Sequence, residues 1–255
     1  KTRELLEKYS GIPPSQQSEH VHRIRDQAWN IRVYPCTGLG VWLVPTISRS
    51  PAYAEILALV KTGARYLDVG CFIGQDMRRL VYDGAPSTNL YGVDIVSHWA
   101  VGFDMFRDKA TFSAQFIEAD FMDTAESAGL AALEGSVDVI FVSQVLHQWG
   151  WEGQVKAVKR LVEFSRVGTL VVGCQIGTLD VGGVEVEFGP VKVPLWRHDP
   201  VSFDKLWQQV GLQTGSKWAV QAWLRTWEDM GWDPRDQAFL GESARVIEFV
   251  VRRVK

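Results

Sequence analysis

The chain is short of cysteine, of net charge and of long apolar runs, and each shortage removes a class of protein. Its three cysteines, Cys36, Cys71 and Cys174, stand far apart in 255 residues. An odd number at such spacing suits neither a disulfide framework nor a set of metal ligands. We therefore expect reduced thiols, a cytoplasmic location and no metal. Acidic residues outnumber basic ones by only 30 to 27, a net charge of -3. No basic excess is available for a phosphate backbone, which sets nucleic acid aside as the main partner. No apolar run reaches the roughly 18–20 residues that cross a bilayer, so no membrane partner is expected. What remains is an ordinary globular balance, 46% hydrophobic and 22% charged. The length suffices for one large α/β domain and an appendage. Eleven tryptophans are a heavy load for this length. Most belong in a core, and those in loops must pack onto something or line a pocket.

Short β-branched runs alternate with amphipathic segments from residue 65 onward. Strands are predicted at 65–69, 90–94, 115–119, 137–142, 169–175, 217–223 and 244–252. Helices are predicted at 75–82, 98–107, 124–133, 152–164 and 200–210. Such alternation gives a doubly wound, mostly parallel sheet with helices on both faces. Between the last two strands lies WEDMGWDP, too broken by Gly and Pro for a long helix. The seventh strand is therefore expected to run antiparallel, the Rossmann-like sheet of class I methyltransferases rather than of dehydrogenases. Residues 61–255 form this domain. Residues 1–60 look different: a helix over 1–9, a break at GIPPS, an aromatic irregular stretch over 26–45 and a helix over 51–61. We read them as an N-terminal cap over the open edge of the sheet that contributes to the substrate pocket.

The sharpest motif runs from Tyr66 to Asp76. A buried strand ends at Val69, a glycine loop follows, and a helix starts near Gln75. The first such turn of an open α/β sheet is where a ligand sits. Gly70 and Gly74 are spaced neither as a dinucleotide fingerprint nor as a P-loop. Asp68 at the strand end would repel a pyrophosphate but suits a cationic ammonium group, which S-adenosylmethionine carries. Asp94 ends the second strand, 26 residues beyond Asp68, where it can accept both ribose hydroxyls; this feature fits NAD as well. Asp120 after the third strand can accept from an adenine amino group, with Phe121 covering the ring and Ile95 beside the ribose acid. A lone Asp at a strand end is commonly a helix cap, but three at successive strand ends on one sheet edge are harder to explain that way. Ser143 and Gln144 follow the fourth strand, where the methionine arm should pass.

His147 is the titratable group best placed near a methyl donor, either as a base or as a hydrogen-bonded structural histidine. His198 is the second candidate, with helix capping as its alternative. Trp42, Trp149, Trp151 and Trp196 are candidates for an apolar substrate pocket.

The sequence resembles the small fungal secondary-metabolite methyltransferases of the austinol and terretonin meroterpenoid type over nearly its whole length. The resemblance rests on Tyr34-Pro35-Cys36, LDVGCFIGQDMRRL with DGAP and LYGVD, SQVLHQW, LVVGCQIG and RHDPVSFDKLW. It implies methyl transfer to an oxygen, often a carboxylate, of an apolar terpenoid or polyketide intermediate. It also implies S-adenosylmethionine held by Asp68, Gly70 and Gly74 at its amino-acid end, by Asp94 at the ribose and by Asp120 at adenine. One position departs from the pattern: many class I enzymes have glycine where Phe72 stands. Its side chain must point away from the cofactor or narrow the pocket. A methyltransferase fold recruited as a cyclase or isomerase is the alternative. A homodimer is left open.

Overall fold

The strand Tyr66–Val69 (β1) is buried along its whole length, as a strand must be when helices cover both faces of its sheet. A computed structural model describes residues 2–123, 128–188 and 191–255. Around β1 it places Leu90–Asp94 (β2), Gln115–Glu118 (β3), Val137–Val142 (β4), Ser165–Thr178 (β5), Gly182–Phe188 (β6), Val191–Arg197 (β7), Trp218–Arg225 (β8) and Ala244–Arg253 (β9). Seven of these strands form one sheet in the order β3-β2-β1-β4-β5-β9-β8, and β6 and β7 pair apart as a hairpin. β1 to β5 are parallel, and β9 runs antiparallel to both β5 and β8. The reversed last strand is as expected. The hairpin was not, although Val-Glu alternation at 184–187 carries the period of two that a strand needs.

The principal helices are Pro14–Ile31 (α1), Tyr53–Lys61 (α2), Gln75–Tyr82 (α3), Trp99–Phe106 (α4), Trp151–Phe164 (α5) and Pro200–Thr214 (α6). Side chains alternate across the sheet. Leu67, Val69, Ile140 and Val171 face Val158, Leu161, Phe203 and Trp207 of α5 and α6. Tyr66, Val139, Leu170 and Val172 face Ile56, Val60, Met77 and Leu80 of α2 and α3. Residues 124–127 of the helix expected at 124–133 lie outside the described residues; Ala128–Ala131 is helical. No helix among the described residues is long and apolar enough to cross a membrane.

The N-terminal segment departs from expectation in two ways. The break closes at Pro13, and α1 runs on through Ile31, into the stretch read as irregular. Pro14 sits at the helix start, where its missing N–H costs nothing. The segment also covers a different place. Leu6, Ile12, Ile24, Ala28 and Trp42 pack with Ile73, Val101 and Met105, a cluster over α4 and the glycine loop. His20 Nε2 lies 3.0 Å from the Met105 carbonyl oxygen. The segment thus packs on α4 and the glycine loop.

Candidate active site

In the order β3-β2-β1-β4-β5 the chain reverses direction of travel between β1 and β4, which opens a crevice at their carboxyl ends. A cavity of about 370 Å³ occupies it, within the range of small-molecule and cofactor sites. Asp68, Gly70, Asp94, Ile95, Asp120 and Phe121 line one side. Ser143, Gln144, Trp149 and Trp42 line the rest.

The glycine loop is built by close approach. Gly70 has φ +73°, and a Cβ there would fall 2.5 Å from Val145 Cγ2. Gly74 does not line the cavity. It has φ +69°, and a Cβ would sit 2.9 Å from the Trp99 ring and 2.8 Å from Arg78 Nη1. Its part is to let α3 start tight against α4, which corrects its assignment as a cofactor contact. Arg78 locks this loop from beneath. Fully buried, it pairs through Nε with Asp108 Oδ2 at 2.7 Å and through Nη2 with Oδ1 at 3.1 Å. Its Nη1 donates to the Ile73 carbonyl at 2.7 Å. Tyr9 donates to the same Asp108 at 2.8 Å, tying the N-terminal segment to the loop.

Acid is concentrated against the loop. Asp68 is 3% exposed, and no hydrogen bond reaches its carboxylate among the described residues. Burial pushes its pKa well up, and the neighbouring Asp76 and Asp94 add to it. Asp76, part of the motif but not assigned to the site from sequence, opens α3 and is raised by burial although it accepts from Ile47 N at 2.9 Å and from Gln75 Nε2. Asp94 accepts from the Phe72 N–H at 2.9 Å and from Val96 N at 3.3 Å; burial raises it as well. Three carboxyl groups at one end of a cavity are most stable with a cation among them. A sulfonium amino acid with its ammonium group fits that demand.

Segment 32–47 forms the roof. Tyr34 lies 6.3 Å from His98 past β2, Trp42 5.9 Å from Phe72, and Thr46 Oγ1 3.2 Å from Ser143 Oγ past β4. Phe72 has φ +50°, in the left-handed region. Its ring borders the cavity and packs between the His98 ring at 4.7 Å, at the start of α4, and Trp42 at 5.9 Å. Trp232, in the broken segment before β9, completes the wall and donates to the Val41 carbonyl at 3.2 Å. Asp76 was legible as an acid opening the helix after the glycine loop. Trp232 and Tyr34 carry no local signal, because only tertiary folding brings them to the cavity.

Two tryptophans and both histidines fall elsewhere. Trp151 and Trp196 stack edge to face at 5.3 Å away from the cavity, and Trp151 Nε1 is bound to Gln209 Oε1 at 3.0 Å. They are packing residues, not substrate contacts. His198 is fully buried, with Nδ1 2.8 Å from Ser202 Oγ and Nε2 3.1 Å from Gln154 Oε1. Both ring nitrogens are engaged, so it is a structural histidine, and burial pushes it down to about 4. His147 sits in the turn Leu146–Gln148, beside the cavity rather than in its wall. Burial, with Arg197 nearby, pushes it down to about 4 as well.

Comparison with known proteins agrees with this architecture. Residues 1–43 match the meroterpenoid methyltransferase N-terminal domain, and residues 67–172 match a methyltransferase domain. The chain is 38% identical to the O-methyltransferase atr3 of Stereocaulon alpinum, over 90% of this chain and 67% of that protein. It is 36% identical to the asnovolin E/chermesin D methyltransferase nvfJ of Aspergillus novofumigatus, over 87% of this chain and 80% of that one. In fold it is similar to a Burkholderia thailandensis 1,6-didemethyltoxoflavin-N1-methyltransferase solved with S-adenosylhomocysteine. That match has a TM-score of 0.56 and 14% identity, covering 95% of this chain and 92% of that one. The chain belongs to the fungal secondary-metabolite methyltransferases, class I enzymes that use S-adenosylmethionine.

Proposed function

We propose that the protein methylates a carboxylate oxygen of an apolar terpenoid or polyketide acid, giving a methyl ester. Residues 1–60 serve as the cap of the substrate pocket and residues 61–255 hold the cofactor. Asp68 and Asp76 meet the ammonium group of the cofactor, Asp94 its ribose and Asp120 its adenine, with Ser143 and Gln144 beside the methionine arm. The observation that carries the reading is the lack of an imidazole or amine base among the described residues lining the cavity. The aspartates there gather at the cofactor's end. A neutral hydroxyl needs a base, whereas a carboxylic acid is ionised well below neutral pH.

S-adenosylmethionine, when bound, would supply an electrophilic sulfonium methyl group; an oxygen lone pair of the carboxylate would form the new bond and the old bonding pair would stay on sulfur. The protein's share is alignment and exclusion of water. Trp42, Val41, Val44, Trp149 and Trp232 give the apolar wall that this requires. Support also comes from the relatives, of which atr3 is named as an O-methyltransferase.

The test is to offer terpenoid and polyketide acids, each paired with its alcohol analogue, and to follow methyl transfer by mass spectrometry. The reading requires methyl esters from acids at a rate that is flat above about pH 6, since free carboxyl groups titrate near 4. Methylation of the alcohols alone would replace it.

A further inference from the structure

Three buried arginines occur among the described residues, Arg78, Arg160 and Arg197. Arg78 is paired with Asp108, and Arg160 with Glu134 and Glu163. Arg197 differs. It is 7% exposed and donates from Nη1 to the Leu240 carbonyl at 2.7 Å, and no carboxylate pairs with it among the described residues. A guanidinium taken out of water without a counter-charge is costly, so such a group marks a place where an anion belongs.

Two more polar groups, on elements that pack against its own, lack partners. His147 Nδ1 is sealed from solvent with nothing bound to it. Burial, with the charge of Arg197 adding to it, keeps this imidazole neutral, and a neutral ring carries one N–H to donate. Gln175 of β5 is wholly buried, with neither Oε1 nor Nε2 hydrogen-bonded. The three residues stand on the turn Leu146–Gln148, on β5 and at the end of β7, and these elements pack pairwise against one another. Buried polar groups without partners commonly hold water. Water would satisfy the glutamine and the imidazole but would leave the guanidinium charge unbalanced.

We infer that Arg197, with His147 and Gln175, forms a binding site for the carboxylate of the acceptor molecule. This rests on the carboxyl-acceptor reading above. The site adjoins the cavity, since Gln148 and Trp149, next to His147 in sequence, line it. It stands apart from the acids proposed for the cofactor's amino-acid end, Asp68 on β1 and Asp76 at the start of α3. Arg197 supplies charge and His147 an uncharged donor. One carboxylate oxygen held there leaves the other to accept the methyl group.

The probe is sodium acetate, the bare carboxylate, titrated into the full chain saturated with S-adenosylhomocysteine, with His147 ring signals followed by NMR. His147→Gln identifies those signals. We expect a saturable shift at millimolar acetate, none with acetamide, and at least tenfold weaker binding in Arg197→Gln. Retained S-adenosylhomocysteine binding shows that this variant is folded. Should it not fold, Gln175→Leu, which keeps the charge and removes a donor, is expected to weaken acetate several-fold. No saturable shift, or one unchanged in the variant that folds, overturns the site. A shift seen only without S-adenosylhomocysteine assigns the cluster to the cofactor's own carboxylate and overturns it too. Acetate binding without methyl-ester formation from any acid would retire the carboxyl-acceptor reading and with it the acceptor as occupant. Ester formation with KM unchanged in Arg197→Gln would retire the site alone.

Discussion

The ring of Phe72 lies 4.7 Å from the imidazole of His98, and this contact joins the glycine loop to the helix that follows β2. Trp42 closes on the same ring at 5.9 Å. A bulky residue in a left-handed backbone conformation carries strain of about 1–2 kcal/mol, which the aromatic contacts offset. Phe72→Gly should relieve the strain yet lose the packing, for a net destabilisation of about 1–3 kcal/mol. Urea unfolding measures the loss. Limited proteolysis should show the N-terminal 45 residues cut faster, and an unchanged cleavage pattern would mean that the cap is held without Phe72.

Arg78→Gln should cost about 3–5 kcal/mol, the usual penalty for leaving one buried partner of an ion pair behind. Asp108 would then keep only the Tyr9 hydroxyl among its present side-chain partners. Denaturant midpoints measure the change. A loss under about 1 kcal/mol, the scale of an exposed pair, would show that water replaces the guanidinium.

His198 gives a pH-dependent prediction with a definite sign. Its pKa falls from near 6.5 to about 4 on folding, because burial disfavours the charged ring. The native state therefore binds fewer protons than the unfolded state between those values. Its contribution is fully present above about 6.5 and is lost as pH falls toward 4. His198→Ala should destabilise the protein by about 1–3 kcal/mol at neutral pH, having stranded Gln154 Oε1 while Ser202 keeps its bonds with Asp199. It should also flatten the acid limb of the melting curve while S-adenosylhomocysteine affinity stays at the wild-type value. A change in that affinity would return His198 to the active site.

Asp68 and Asp76 act in the opposite direction. Burial raises both above the ordinary carboxyl value, so the ligand-free native state holds protons that the unfolded chain has released. Stability of the free protein should decline as pH rises from about 4 through these raised values. An ammonium ligand needs them ionised and must displace the protons. Affinity for S-adenosylhomocysteine should therefore strengthen with pH until its own amino group, with a pKa of about 8, begins to lose charge. Calorimetry in buffers of different ionisation heat should show proton release below neutral pH. Absence of proton transfer at every pH would remove the carboxyl pair from the ligand's charge.

Much of this site can be read from residue order alone. Asp68, Asp94 and Asp120 fall at successive strand ends, and a parallel sheet carries all such ends to one edge. The β-branched run at 137–142 and the short Tyr-Leu-Asp-Val segment before the glycine loop both read as buried strands, and both are. The errors share a cause. His198, Trp151 and Trp196 are chemically suited to a pocket, but their positions depend on how α5, α6 and the β6–β7 hairpin stack, which no local pattern encodes. Trp232 reaches the cavity from a segment nearly two hundred residues from its partner Val41, hydrogen-bonded at 3.2 Å. Gly74 was assigned to the cofactor from sequence, whereas what a side chain there would meet is Trp99 and Arg78.

The central claim is that Asp68 places the cofactor's ammonium group in the β1–β4 crevice. Calorimetry of S-adenosylhomocysteine binding to wild type and to Asp68→Asn, at pH 7.5 where the bound carboxylate is ionised, tests it most directly. The variant keeps the shape of the side chain and removes its charge. The account predicts a loss of about 1.5–3 kcal/mol, the worth of a charged hydrogen bond, with an unchanged melting temperature or a small rise in the ligand-free protein. Wild-type affinity in Asp68→Asn would contradict it.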